Sequence, residues 1–346
     1  MPYELTSLNA LDTLPFTGIV DVRSPAEFAE DHIPGALNLP VLDDAERARI
    51  GTIYVQQSRF LARRLGAALV ARNAAAHLEG PLADKGPDWR PLVHCWRGGQ
   101  RSGSFTSILK QVGWQAESLS GGYRAYRKLV REALYQTPLA SPVVLIDGGT
   151  GTAKTRLLDA LAARGAQVID LEGLARHRGS VFGNTGQPQP SQKAFETELA
   201  AALRRLDPAR PLYAEAESSK IGRINLPPML WQAMRAAPRV HITAPLAARV
   251  AHLMDAYRDF TTDPARILPV LDKLVRFHGH EQVDAWRALV AQGAFAQLAG
   301  DLIERHYDPR YRRTGKQPPA LPLALDSLTG PDLDRAAQMI LEKFGA

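Results

Sequence analysis

The chain has 346 residues, long for one domain and comfortable for two, and its composition of 45% hydrophobic and 23% charged residues is that of a globular protein able to bury a sizeable core. A formal charge of +6 and a pI near 9.5 suit a polyanionic partner, RNA or a phosphate ester, as well as a merely soluble basic protein. One cysteine, Cys95, excludes an internal disulfide and any zinc site built on several cysteines, so whatever Cys95 carries must pass to a substrate or an outside thiol.

The opening stretch "MPYELTSLNALD" has no basic segment followed by an apolar one, and apolar runs such as "PVVLI" are short. A soluble, cytoplasmic protein without a membrane span is therefore expected. "GIVDVRS" reads as a strand ending in polar residues, and "SPAEFAEDH" as a short helix capped by Ser24. "IPGALNLP" turns into a second strand, and a long helical stretch is expected from about Asp44 to Asn73. "RPLVHC" is a buried strand, "RSGSFTSILKQVGW" a helix, and "AESLSGGYRAYRKLVREAL" a short strand, glycine turn and closing helix. The prolines of "YQTPLASP" interrupt the pattern and place a domain boundary there, giving domains 1–136 and 137–346. The second part restarts as strand, glycine-rich loop and helix in "PVVLIDGGTGTAKTRLLDALAARG". "AQVIDLEGLARHRGS" follows as strand and loop, "PQPSQKAFETELAAALRRL" as a helix, "PLYAEAESSKIG" and "PRVHITAP" as strands. The remainder is expected to be mostly helical.

Two loops carry chemistry. In "PLVHCWRGGQRS" a cysteine ends an apolar strand and a helix follows. Gly98 and Gly99 allow successive amides to face inward as an anion nest, and the helix N-terminus favours negative charge at the same spot. That field, with Arg97 and Arg101 nearby, should depress the thiol pKa. Three readings compete: a phosphatase nucleophile, a carrier of sulfur or selenium, or an inert buried thiol. The spacing His94-Cys95, five residues, Arg101 matches the phosphatase signature His-Cys-x5-Arg, a loop large enough for a phosphate-sized anion. A phosphatase also needs a general acid; Asp84 and Asp88 are nearby in sequence, but neither sits in a recognisable motif and both read as solvated loop residues.

"GGTGTAKT", Gly148 to Thr155, approximates the P-loop pattern between a strand and a helix. Gly148, Gly149 and Gly151 would let the backbone cradle a diphosphate, Lys154 would reach its oxygens and Thr155 could bind Mg²⁺. Ala153 stands where the pattern has its last glycine. Alanine costs little there with right-handed helical dihedrals and strains the loop at positive φ. Asp170, Glu172, Glu215 and Glu217 are candidates for the acidic partner of the metal, and spacing does not choose among them. Basic residues also cluster: Arg59, Arg63, Arg64 and Arg72 in "RFLARRLGAALVAR", and Arg310, Arg312, Arg313 and Lys316 among Tyr307 and Tyr311 in "HYDPRYRRTGKQ". Basic residues interleaved with aromatics fit phosphate contacts and base stacking, and a solvated helix face is the other reading of the first cluster.

"DVRSPAEFAEDHIPGALNLP" and "GGYRAYR" resemble the rhodanese domain. Together with "GTIYVQQSRFLARRLGAALVARN", "CWRGGQRS", "DLEGLARHRGSVFG", "PQPSQKAFE" and "HYDP", they resemble the bacterial tRNA 2-selenouridine synthases over nearly the full chain. The chain departs from that family at Ala153 and in "EAESSKIG". The resemblance implies an α/β fold: an N-terminal rhodanese-like domain, then a P-loop NTPase-like α/β domain with a helical C-terminal part. It implies conversion of wobble 2-thiouridine in tRNA to 2-selenouridine, with selenophosphate as donor and an S-geranyl intermediate made from geranyl diphosphate. Carried over, Cys95 would take up selenium while Arg97, Gly98, Gly99 and Arg101 hold the anion. Gly148 to Thr155 would hold a diphosphate, of geranyl diphosphate or of a nucleotide. The arginines Arg59, Arg63, Arg64, Arg310, Arg312 and Arg313 would form the tRNA surface. No tightly bound cofactor is expected; selenophosphate and geranyl diphosphate would be co-substrates, Mg²⁺ could join them at Thr155, and an enzyme supplying selenophosphate could be a further partner. A His-Cys-x5-Arg phosphatase and a nucleotide-switched protein with a sulfur-relay module remain as alternatives.

Overall fold

Strands covered on both faces read as unbroken apolar runs, and Val20, Leu92 and Val93 are buried for that reason. In the computed structural model, which describes residues 1–312 and 318–346 (Tyr311 and Arg312 as backbone only), they belong to a four-stranded sheet. Its strands are β1 (Gly18–Asp21), β2 (Ala36–Asn38), β3 (Pro91–His94) and β4 (Glu117–Ser118). They pair in parallel in the order β2-β1-β3-β4, with Asp21 opposite His94. The helices are α1 (Pro25–Glu30), α2 (Asp44–Gln56), α3 (Arg59–Glu79), α4 (Gln100–Val112) and α5 (Gly122–Tyr135). Val22, Leu39, Phe105, Leu109 and Trp114 fill the core against the sheet. Ser24 caps α1 in a reciprocal capping box with Glu27, as its position before Pro25 implies.

The single helix expected over 44–73 is two helices. Ser58 adopts an extended conformation and its hydroxyl accepts from the Leu61 amide (3.2 Å), so the chain is recapped and α3 runs on to Glu79. A serine side chain that satisfies an orphan amide breaks a helix that apolar periodicity alone would continue.

The chain forms two units, residues 1–137 with 190–205, and residues 138–189 with 206–346. Residues 190–205, expected inside the second domain, thus pack in the first. The helix Gln192–Leu203 buries Phe195 and Leu199 there. Its Glu196 is paired with Arg127 and accepts from the Tyr135 hydroxyl (2.7 Å), and Thr197 donates to the buried Asp31 (3.0 Å). Buried polar groups with partners only in the first unit decide its place.

The second unit holds β5 (Val143–Gly148), β6 (Gln167–Ile169), β7 (Leu212–Glu215), the hairpin β8 (Lys220–Ile221) and β9 (Ile224–Asn225), β10 (Arg239–Thr243) and β11 (Leu321–Ala324). Five of them form a parallel sheet in the order β11-β10-β5-β7-β6. The helix α6 (Lys154–Ala163) packs Leu157, Leu158 and Leu161 on it. A separate helical cluster builds around Leu271, Leu274, Val283 and Trp286. Two local expectations are corrected. A short helix α7 (Leu171–Ala175) follows β6 where a loop was expected, because the Asp170 side chain caps it through the Gly173 amide (2.7 Å). The C-terminal part also includes a strand, β11. It pairs only with β10, an edge position that tolerates Pro322, which breaks the strand signal. Among the described residues no helix is long and apolar enough to cross a membrane.

Candidate active site

Both chemical loops leave the carboxyl ends of parallel strands where the chain switches sides of the sheet, the usual ligand position of open α/β folds. Cys95 directly follows β3 and is 4% exposed. Its loop is closed by a second glycine turn. Gly98 and Gly122 both have positive φ, +66° and +58°, and a methyl group on Gly122 would overlap the Cys95 carbonyl and the Gly98 amide. The first amides of α5 then reach the loop: Tyr123 donates to the Cys95 carbonyl (2.9 Å) and Arg124 to the Trp96 carbonyl (3.1 Å). The "GGYR" stretch is therefore the backbone brace of the cysteine loop.

The thiol receives two hydrogen bonds, from the Gly99 amide (3.3 Å) and the Ser102 hydroxyl (3.2 Å). Burial pushes the thiol pKa up. The Ser102 hydroxyl, loop amides and the Arg101 charge outweigh it, leaving the pKa below its ordinary value. Ser102 is a thiol contact that residue types alone did not single out; its signal was the i+7 position on the first turn of α4. Cys95, Gly98 and Gly99 come together as expected. The Arg97 side chain is exposed. Arg101 is tied to Glu27 (2.8 Å), which also pairs with Arg47 (2.8 Å). Arg101 is therefore held by a carboxylate at the edge of the loop.

His94 is fully buried beside Asp21, and neither ring nitrogen has a partner. Burial outweighs the Asp21 charge and lowers its pKa to about 4, so it stays neutral. Asp84 and Asp88 are exposed and precede β3, at the strand end away from Cys95. Neither aspartate is therefore placed to serve as the general acid of phosphatase chemistry. Beneath the loop, Arg23 binds Asp21 (2.6 Å) and the Asp31 carbonyl (2.6 Å), with its guanidinium over the Tyr123 ring at 4.0 Å. The "DVRS" motif thus supports the site from below.

In the second unit Gly148 to Thr155 runs from β5 into α6. Lys154 Nζ donates to the Gly148 carbonyl (3.2 Å). Ala153 settles the open question of its dihedrals: φ is +57° and ψ 36°, left-handed. An L-residue pays about 1–2 kcal/mol there. The loop is braced by side chains that sequence reading missed. Arg249 Nε donates to the Thr150 carbonyl (2.9 Å), and its other nitrogens hold both oxygens of Asp308 (2.9 and 2.7 Å). Asp308 is the acidic residue of "HYDP", which explains that stretch structurally.

Of the four acidic candidates, Glu215 is the one hydrogen-bonded to Thr155. Thr155 Oγ1 donates to Glu215 Oε1 (2.5 Å), and Glu172, Glu215 and Glu217 each offer an oxygen within 4.8 Å of the others. Glu215 is fully buried and its Oε2 has no partner. Burial raises the pKa of all three, and repulsion within the cluster adds to it for Glu172 and Glu215. Like-charged carboxylates with an orphaned oxygen fit a hard divalent cation beside Thr155. Asp170 is instead the cap of α7.

Around this loop opens a cleft of ≈ 1010 Å³ walled by Lys154, Arg156, Arg176, Arg178 and Arg239 as well as the three glutamates. Arg178 is held over the Tyr257 ring (4.5 Å) and paired with Asp259 (3.1 Å). Arg310 also lines the cleft, donating to His306 (3.1 Å), whereas sequence reading grouped it with a tRNA surface. Arg59, Arg63 and Arg64 lie exposed on α3. The Arg312 side chain and Arg313 lie outside the described residues. Beside the cleft is a smaller chamber of ≈ 80 Å³ with walls of Phe182, Phe260, Ile267, Leu298 and Leu302. Thr150, Leu253, Tyr257 and Tyr307 border both spaces. Its wall residues are scattered over more than a hundred positions, which is why no local pattern announced it.

Comparison with known proteins agrees with this layout. A family model described as a rhodanese-like domain matches residues 5–129, and one described as the tRNA 2-selenouridine synthase AAA domain matches residues 141–267. A tRNA 2-selenouridine synthase of Bdellovibrio bacteriovorus is 38% identical over 247 residues, 69% of this chain and 64% of that protein. One from Nitrosomonas europaea is 35% identical over 258 residues, 73% of this chain and 66% of that protein. One from Shewanella halifaxensis is 31% identical over 325 residues, 85% of this chain and 87% of that protein. The matches to the first two thus span just under two thirds of those relatives' length. A rhodanese-like domain followed by a P-loop NTPase-like α/β domain with a helical C-terminal part is the fold of this chain.

Proposed function

The chain belongs to the tRNA 2-selenouridine synthase family, and we propose on that premise that it converts wobble 2-thiouridine in tRNA to 2-selenouridine with selenophosphate, through an S-geranyl intermediate. The observation that carries the geranyl part is the apolar chamber beside the glycine loop. A nucleotide needs only the polar cleft, whereas a prenyl diphosphate needs a polar cradle continuous with an apolar one.

In this reading the loop amides and Lys154 hold the diphosphate and the apolar walls take the chain. The thiouridine sulfur attacks the first carbon of the geranyl group, the carbon–oxygen bond breaks, and pyrophosphate leaves with the electron pair. Lys154 and the N-terminus of α6 stabilise the charge that develops on the leaving oxygen. A divalent cation, held by Thr155 and Glu215 with Glu172 and Glu217, would supply further neutralisation of the diphosphate. Selenophosphate belongs to the cysteine loop, whose amide nest and Arg101 suit its phosphoryl oxygens beside the Cys95 sulfur. Its selenium then displaces geranyl thiol at the base, and hydrolysis of the selenium–phosphorus bond releases phosphate. A cytoplasmic location and an enzyme that supplies selenophosphate go with this reading.

The test is mass spectrometry of nucleosides from 2-thiouridine tRNA incubated with protein, Mg²⁺, geranyl diphosphate and selenophosphate. Wild type should give 2-selenouridine, Cys95→Ala should stall at the S-geranyl nucleoside, and Lys154→Ala should leave thiouridine unchanged. Unaltered geranylation by Lys154→Ala would remove the glycine loop from that step. Untouched tRNA with wild type would sink the reading.

A further inference from the structure

Between Glu46 and Glu79 the chain has no acidic residue but carries Arg47, Arg49, Arg59, Arg63, Arg64 and Arg72. The stretch forms most of α2 and all but the last residue of α3, which pack on each other, with Ile53 and Ala62 buried. Arg47 is paired with Glu27; among the described residues the other arginines have no carboxylate partner. At the turn joining the helices, side chains that normally enter a core face water instead. Val55 is 82% exposed, Phe60 75% and Tyr54 43%. The Arg59 guanidinium lies over the Tyr54 ring at 5.6 Å. Phe60, Arg63 and Arg64 follow at helical spacing on one exposed face.

Exposed apolar side chains gathered at one turn mark an interaction surface. The chemistry of this one narrows the partner. The partner has to suit a cluster of guanidinium groups and the bare rings among them. RNA accounts for both, because guanidinium groups take backbone phosphates and an aromatic face takes an unpaired base. The missing carboxylates remove the repulsion that would keep a phosphate chain away.

We propose that the tip of the α2–α3 hairpin is a docking arm for an unpaired loop of RNA, with Arg63 and Arg64 on backbone phosphates and Phe60 stacked on a base. It rests on the reading of tRNA as the substrate, and assigns that substrate a surface.

The experiment is fluorescence anisotropy of the full chain with an unmodified tRNA transcript over a series of salt concentrations. Phe60→Ala should weaken binding roughly five- to hundredfold with the salt slope unchanged, and Phe60→Trp should restore it. The double variant Arg63→Ala/Arg64→Ala should lower the slope of log K against log salt by about 1.4. All variants should keep the melting temperature and the Cys95 alkylation rate of wild type, which separates lost docking from lost folding. Equal affinity and slope in wild type and variants overturns the arm and leaves the tRNA reading standing. No binding of tRNA by wild type overturns both. Concentration-dependent self-association that Phe60→Ala abolishes, with RNA affinity unchanged, overturns the proposal in favour of contact with a second copy.

Discussion

The cysteine loop and the glycine loop solve the same problem with different materials. Each follows a parallel strand, turns through glycines and feeds a helix. The first is held by backbone against backbone: the Gly98–Gly122 approach and the amides of Tyr123 and Arg124 on the Cys95 and Trp96 carbonyls. The second is held by a side chain, Arg249, which spans from the Thr150 carbonyl to Asp308. A brace made of backbone leaves no room for adjustment, which suits a loop that must hold a thiol against fixed donors. A brace made of an ion pair leaves the surrounding wall open, and the wide cleft lies beside it.

The difference is most sharply broken at Gly122. Alanine there meets two backbone atoms and a positive φ, and should cost upward of about 3 kcal/mol or prevent folding of the first unit. Thermal unfolding checks it, and a wild-type melting temperature would mean that the backbone brace is not tight. Next comes Arg249→Ala, which leaves Asp308 without its partner in a mostly buried place. A loss of about 3 kcal/mol is expected in the second unit, with weaker pyrophosphate binding by calorimetry. Cys95 alkylation should not change, since that loop has its own support.

Ser102→Ala sharpens the comparison on the thiol. The folded pKa of Cys95 is depressed, so thiolate persists as pH falls until that pKa is crossed. Removing the hydroxyl leaves burial less opposed and moves the crossing upward. Iodoacetamide alkylation at neutral pH should slow roughly tenfold, and the pH profile should shift to higher pH with the melting temperature nearly unchanged. The smallest effect belongs to Ala153→Gly. Relief of the left-handed strain is partly offset by the entropy of glycine, so a gain of at most about 1 kcal/mol is expected, read as a small rise in melting temperature. A fall in stability would mean that the Ala153 methyl group, buried in the core against α6, contributes more than the strain removes.

Local signals are those in which a few neighbouring residues carry the whole cause. The buried runs around Val93 and Ile146, the glycines that follow them and the helices after those are readable because strand, turn and helix N-terminus are consecutive in the chain. They announced the two-part α/β order and the two glycine loops, the one after Cys95 and the one from Gly148 to Thr155. Tertiary structure alone decided the rest. Glu27 holds Arg101 across 74 positions, Glu215 receives Thr155 across 60, and Asp308 meets Arg249 across 59. The positive φ of Ala153 reflects how β5 must turn into α6, and the helix Gln192–Leu203 joins the first unit because only there do Glu196 and Thr197 find partners. Burial raises the cost of an unpaired polar group, so such pairings are strongly selected once the chain is folded, yet no periodicity or turn chemistry announces them.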